Sequence, residues 1–262
     1  MPLFFLVALA ASAVGAICGI GGGVIIKPVL DLFRLETVST ISFLSGCTVL
    51  TMTCYSVGKS LLAGEKNVAL DIGTPLAVGA AVGGLLGNQL FALARRLSDM
   101  PNQVGAIQSA CLAIVTAGTL LYTLNKSRVP TRRVRNKGGC AAIGLALGCM
   151  SSFLGIGGGP INLVVLYFFF SMDTKTAAAN SLYIILFSQL ASLITTLVTH
   201  TVPDFRWPVL MLMAAGGLAG GILGRKLNRH MDGKAVENLF VLLMMVIICI
   251  SIFNAWRYLT PL

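Results

Sequence analysis

Eight apolar runs follow one another along the chain, at about residues 2–33, 38–62, 72–94, 103–124, 138–170, 177–200, 206–224 and 235–256. A run of about 18 or more such residues is long enough to cross a bilayer as a helix, because a helix rises about 1.5 Å per residue. Of the 262 residues 56% are hydrophobic and only 11% are charged, whereas a soluble domain carries about 25% charged residues. The runs therefore predict an all-α fold, a polytopic transmembrane helical bundle with almost nothing outside the lipid bilayer. Its place is the cell (plasma) membrane, which it crosses many times. The net charge of +10 reads as basic loops against anionic headgroups and not as a nucleic-acid footprint. The N-terminal run has no basic region before it and leads straight into a glycine cluster, so it reads as a retained span and not as a signal peptide.

Two of the runs are interrupted by the same five residues, GIGGG, at Gly19–Gly23 and at Gly155–Gly159. The two copies are 136 residues apart, and a second match, AVGGLLG at Ala81–Gly87 with AAGGLAG at Ala214–Gly220, is 133 apart. The sequence thus divides into two homologous four-segment repeats, residues 1–126 and 138–262. Between them lies a linker, 127–137, that the sequence places in the cytoplasm. From Lys126 to Lys137 it holds six Lys/Arg and no acid. Internal repeats of this kind are typical of secondary transporters, whose site lies at the repeat interface near the midplane. Gly79, Gly83 and Gly87, like Gly216, Gly220 and Gly224, recur every fourth residue and read as seams where helix backbones approach closely.

Orientation stays open between two arrangements. If all eight runs cross once, Lys/Arg divide about 10 to 9 between the faces. If the first run of each half enters, breaks at its glycines and returns, the halves are inverted. The division is then about 13 to 6, with the linker on the rich, cytoplasmic face.

Non-helical backbone at membrane depth is tolerated only where protein buries it or where it lines a watered cavity. A helix that starts after a break presents free N–H groups and the positive end of its dipole. Glycine allows φ > 0 and puts no side chain in the way. Such a place favours an anion with several acceptor oxygens. The candidate substrate-binding residues are Gly19, Gly21, Gly22, Gly23, Gly155, Gly157, Gly158 and Gly159, with Asn162 as a further donor and Pro160 starting the second returning helix. Both glycine clusters are expected at one shared pocket. Lys27 lies inside an apolar stretch; it contacts the ligand, snorkels to the interface, or pairs with Asp31 one turn on. A dinucleotide fingerprint is excluded, because Val24 and Pro160 stand where its last glycine belongs and no strand precedes.

The seven cysteines are scattered and show no C-x-x-C spacing, so neither a disulfide framework nor a metal site is expected. The two histidines, His200 and His230, lie at run ends without an H-E-x-x-H or G-x-S-x-G context. The chain is expected not to be an enzyme, and to hold no cofactor and no metal.

The duplicated G-x-G-G-G near the start of each half resembles the sulfite exporter TauE/SafE family of membrane transporters. So do the following prolines, Pro28 and Pro160, and the small-polar patch AAANS at Ala177–Ser181. The resemblance covers essentially the whole chain. It implies transport, usually outward, of small sulfur-containing anions such as sulfite or organosulfonates. It carries the family's glycine motif onto the two clusters and its polar patch onto Asn180 and Ser181, with Gly46–Cys47 as the first-half counterpart. A negative interior drives anions outward by about 2.3 kcal/mol per charge per 100 mV, so export needs no coupling ion. Import of a sulfonate or another small oxyanion, and an anion channel, are the alternatives.

Overall fold

The computed structural model describes residues 2–33, 35–64, 68–97, 101–154 and 158–259. All regular structure among these is helical. The first apolar run is two helices, α1 (Pro2–Cys18) and α2 (Gly23–Phe33), and so is the fifth, α6 (Lys137–Leu154) and α7 (Gly159–Phe170). The remaining runs are single helices: α3 (Val38–Leu62), α4 (Leu70–Leu97), α5 (Pro101–Asn125), α8 (Thr174–Val198), α9 (Trp207–His230) and α10 (Gly233–Leu259). Seven of these helices are long and apolar enough to cross a membrane; α1 and α7 are apolar but shorter.

The glycine seams set the packing. A methyl placed on Gly79, Gly83 or Gly87 of α4 would lie 2.1, 2.0 or 2.3 Å from the carbonyl oxygens of Ala141, Leu145 and Cys149 in turn. Helix α6 therefore lies backbone to backbone along α4 and runs in the same direction. Gly216, Gly220 and Gly224 of α9 meet Phe5, Leu9 and Ala13 of α1 in the same way. Each seam thus holds the broken helix of the other half, and any side chain there would force the pair apart. Helix α3 runs alongside α9, with Thr48 at Gly217 and Met52 at Gly221, and α8 alongside α4, with Ser188 at Gly84 and Ser192 at Asn88. Helices α5 and α10 are antiparallel: Lys126 pairs with Glu237 at one end, and Gly105 meets the Tyr258 ring at the other.

Both broken helices turn back on themselves. Gly22 lies against Ser12 and Gly15 against Gly21, so α2 folds back along α1. It leaves beside the end of α10, where Asn254 donates to the Pro28 carbonyl and Arg257 to the Leu32 carbonyl. Helix α6 starts at the linker, and α7 returns to it: the N–H groups of Arg132 and Val134 donate to the carbonyls of Phe168 and Phe169. One hairpin, α1–α2, opens at the end of the bundle away from the linker. The other, α6–α7, opens at the linker end.

Helix starts are capped by the residues that the chain supplies there. Thr37 accepts from the N–H of Thr40 at the start of α3, and Asp173 accepts from those of Lys175 and Thr176 at the start of α8. Thr37 and Asp173 are 136 residues apart, the spacing of the glycine clusters. In that register Ser45 stands opposite Ser181, one residue before the expected counterpart Gly46–Cys47.

Candidate functional site

The two breaks meet inside the bundle. A methyl on Gly159 would lie 1.8 Å from the Ile20 carbonyl oxygen, and one on Gly19 2.3 Å from Cα of Ala178. Ile20, between the glycines, is fully buried. Gly19, Gly21 and Gly158 have φ of 76°, 70° and 77°, the left-handed region that only glycine occupies without cost. Gly22 does not need it; what it needs is space, because Ser12 stands 3.0 Å from where its Cβ would be.

These conformations aim two helix starts inward. Gly22 caps α2 with its carbonyl, which accepts from the N–H groups of Ile25 and Ile26. Helix geometry leaves the N–H groups of Gly23 and Val24 without a carbonyl inside the helix. Gly158 caps α7, its carbonyl accepting from the N–H of Asn162. The N–H groups of Gly159 and Ile161 are the corresponding leftovers, and Pro160 has none to lose.

Polar side chains surround both starts. The hydroxyls of Ser12, beside Gly22, and Ser151, beside Gly158, are buried and make no hydrogen bond. Asn162 Oδ1, 3.2 Å from the position of a Gly158 methyl, is in the same state. So is Ser181. Gly19 touches Ala178 and Gly21 touches Ile185; Ser181 lies between them at helical spacing and shares that face of α8. Buried hydroxyls without partners are costly in a finished fold. Next to four helix-start N–H groups they are donors suited to an oxyanion.

Not every expected residue joins this cluster. Asn180 turns to the start of α4, where its Oδ1 accepts from the N–H of Ala69 while its amide donates to the Thr176 carbonyl. Lys27 is buried and pairs with Asp31, 3.1 Å away, as the pairing alternative has it. Gly155 and Gly157 lie outside the described residues.

A feature that no motif announced adjoins the first break. At the linker end a cavity of about 210 Å³ is lined by Lys175, Arg225, Arg229, Asn228, Ser56 and Ser60, with Ala16 and Ala178 among the lining residues nearest the glycines. Arg225 is held by the Ser56 carbonyl and the Ser60 hydroxyl, at 3.0 and 2.6 Å, and Asn228 donates to the Ile17 carbonyl at the end of α1. Among the described residues three cations and no carboxylate line it. Low-dielectric walls focus such a field and concentrate anions at the mouth. In the sequence, Arg225 and Arg229 look like the basic end of any membrane helix. Only the fold brings Lys175 across to them. Among the described residues no group of His, Cys, Asp or Glu is placed to hold a metal ion.

Residues 4–251 match the family model described as sulfite exporter TauE/SafE. The chain is 23% identical over 269 residues to the probable membrane transporter protein YunE of Bacillus subtilis (strain 168), covering 94% of this chain and 95% of that one. It is 25% identical over 274 residues to the probable membrane transporter protein MamO of Magnetospirillum gryphiswaldense, covering 92% of this chain and 43% of that longer protein. A probable membrane transporter protein of Xylella fastidiosa is 33% identical over 120 residues, 45% of this chain and 43% of that one. No solved structure matches the chain.

Proposed function

Since the chain belongs to the sulfite exporter TauE/SafE family of membrane transporters, we propose that it carries a small sulfur-containing anion, sulfite or an organosulfonate, outward across the plasma membrane. The observation that carries this reading is the meeting of the two glycine breaks, Gly159 against the Ile20 carbonyl, with helix starts and unpartnered hydroxyls around them. The anion loads through the cavity of Lys175, Arg225 and Arg229 and binds between the starts of α2 and α7.

The halves 1–126 and 138–262 are, in this reading, inverted copies. Packing pairs come in twos that exchange under that inversion: α1 with α9 and α6 with α4, α3 with α9 and α8 with α4, α2 with α10 and α7 with α5. The linker end of the bundle holds Lys59, Lys175, Arg225, Lys226, Arg229 and Lys234 besides the linker's six basic residues, against Arg95 and Arg96 in the last turn of α4, Arg206 and Arg257 at the other end. That bias makes the linker cytoplasmic, so the cavity faces the side from which an exporter loads. A cysteine at Ser127 in a cysteine-free chain tests this: an impermeant thiol reagent added to intact cells leaves it unlabelled, and ready labelling would reverse the orientation.

Flux in proteoliposomes tests the function. Sulfite, thiosulfate, sulfoacetate, taurine and sulfate are each loaded as tracers. Saturable flux of sulfite or a sulfonate is the expected result, and its absence for all five would overturn the reading. Unitary currents in planar bilayers would assign a channel instead. Gly22→Ala, which sets one methyl against Ser12 at an ordinary φ, lowers the flux about tenfold or more by crowding the N–H groups of Gly23 and Val24, while the folded protein is still recovered.

A further inference from the structure

The buried pair Lys27–Asp31 lies outside the anion site just described, yet it is built into α2, the helix that returns from the first break. Lys27 is one turn past Gly23. A second, small cavity lies here, about 10 Å³, which is room for about one water. Its walls include Lys27, Asp31, Gln108 of α5, Ser251 of α10 and Leu154, the last residue of α6 before the second glycine cluster. The pair therefore has the start of the second break, as well as the first, beside it.

Three oxygens there are buried and make no hydrogen bond: Asp31 Oδ1, Gln108 Oε1 and Ser251 Oγ. Gln108 is held the way it points, because its amide donates to the Phe153 carbonyl at 2.9 Å. Of the three oxygens only the serine carries a hydrogen. A proton on Asp31 Oδ1 gives the cavity a second donor beside the Ser251 hydroxyl. Among the described residues, charged groups that face Asp31 are few. Lys27 is on its own helix, and Arg257 of α10 reaches the Leu32 carbonyl one residue on. Along α1 and α5 there is no charged residue at all, and none lies on α6 after Lys137.

We propose that Asp31 is a proton-binding site loaded together with the anion, so that each anion crosses with one proton. The proposal rests on the anion-transport reading above. An anion at the breaks draws the Lys27 ammonium, on its flexible four-carbon stem, away from Asp31 Oδ2. The carboxylate is then buried without a partner, which is strongly unfavourable in a medium of low dielectric. It takes a proton from water at Oδ1 and becomes neutral. Binding of one species favours binding of the other, and the favour is reciprocal. For a dianion one negative charge still crosses, so an inside-negative potential still drives export.

The test uses vesicles holding the purified full chain, with equal potassium on both sides and valinomycin to clamp the potential. Thiosulfate, whose charge is fixed over the range used, and sulfite are added outside as radioactive tracers, and a trapped dye reports luminal pH. With thiosulfate the expected result is luminal acidification of about one proton per anion entered, and entry that rises as external pH falls. Asp31→Asn moves the anion with about one proton fewer than the parent, for sulfite as well as thiosulfate, and loses the pH dependence. Asp31→Glu keeps the proton and shifts the profile. Parent vesicles that take up thiosulfate without acidifying would overturn the proposal whether or not a variant folds, and so would Asp31→Asn acidifying like the parent. If neither anion enters, the transport reading fails first and takes this one with it.

Discussion

The helix that returns from the first glycine break carries two charges, and the helix that returns from the second carries none. At the spacing of 136 residues, Lys27 and Asp31 of α2 correspond to Leu163 and Tyr167 of α7. Asn162 in turn stands where the first half has Ile26. The breaks themselves also differ. Gly158 sits at φ of 77°, whereas its counterpart Gly22 keeps an ordinary φ and the left-handed residues are Gly19 and Gly21. What the halves share is the packing duty: a reversal of the chain, a helix start aimed inward and a serine hydroxyl beside it, Ser12 in one and Ser151 in the other. What they do not share is charge on the returning helix.

The largest effect expected of a single methyl is at the meeting point. Gly159→Ala drives Cβ to 1.8 Å from the Ile20 carbonyl oxygen, and backbone on both sides leaves nothing flexible to give way. The variant should lose more than about 3 kcal/mol of stability, seen as little monodisperse protein after detergent extraction. Normal recovery would mean that the breaks do not touch. Next comes the counterpart pair. Gly158→Ala meets both a left-handed φ and the Ser151 hydroxyl at 2.8 Å, whereas Gly22→Ala meets only Ser12 at 3.0 Å. The first should cost about 1–2 kcal/mol more than the second, read as a lower melting temperature in matched detergent. Equal losses would erase the difference between the breaks.

The smallest effect compares the caps of α3 and α8. Thr37→Ala and Asp173→Ala should each cost about 1 kcal/mol at neutral pH. Partial burial pushes the Asp173 carboxyl up, but hydrogen bonds from the Thr176 side chain and from the N–H groups of Thr176 and Lys175 outweigh it, and its pKa ends below the usual carboxylate range. The contribution of Asp173 is therefore complete above about pH 4, the unfolded value, and is lost as the pH falls through the lowered one. Melting curves across acid pH should show the Asp173→Ala deficit shrinking while that of Thr37→Ala stays constant. A constant deficit for both would mean that Asp173 does not cap as a carboxylate.

Much of this molecule is set by the sequence alone, because its signals act locally. An apolar run must satisfy its own backbone hydrogen bonds in lipid, so the runs are helices. Glycines in the middle of a run break it, and so the first and fifth runs are each two helices. The seams Gly79–Gly87 and Gly216–Gly224 announce close packing, because only a missing side chain lets carbonyls approach so near. Partners were another matter. Nothing in the seam of α4 says that it receives α6, from the other half, and nothing near Asn180 says that its side-chain oxygen is occupied by the start of α4 while Ser181 faces the break. Ser12 and Ser151 are ordinary small residues until the chain reverses onto them. Lys175, Arg225 and Arg229 are ordinary helix-end charges until α8 and α9 bring them around one cavity. A residue's own preferences fix its local conformation, but which orphaned donors and charges converge depends on which helices lie side by side. That is settled by backbone fit summed over whole helices, and only the tertiary structure contains it.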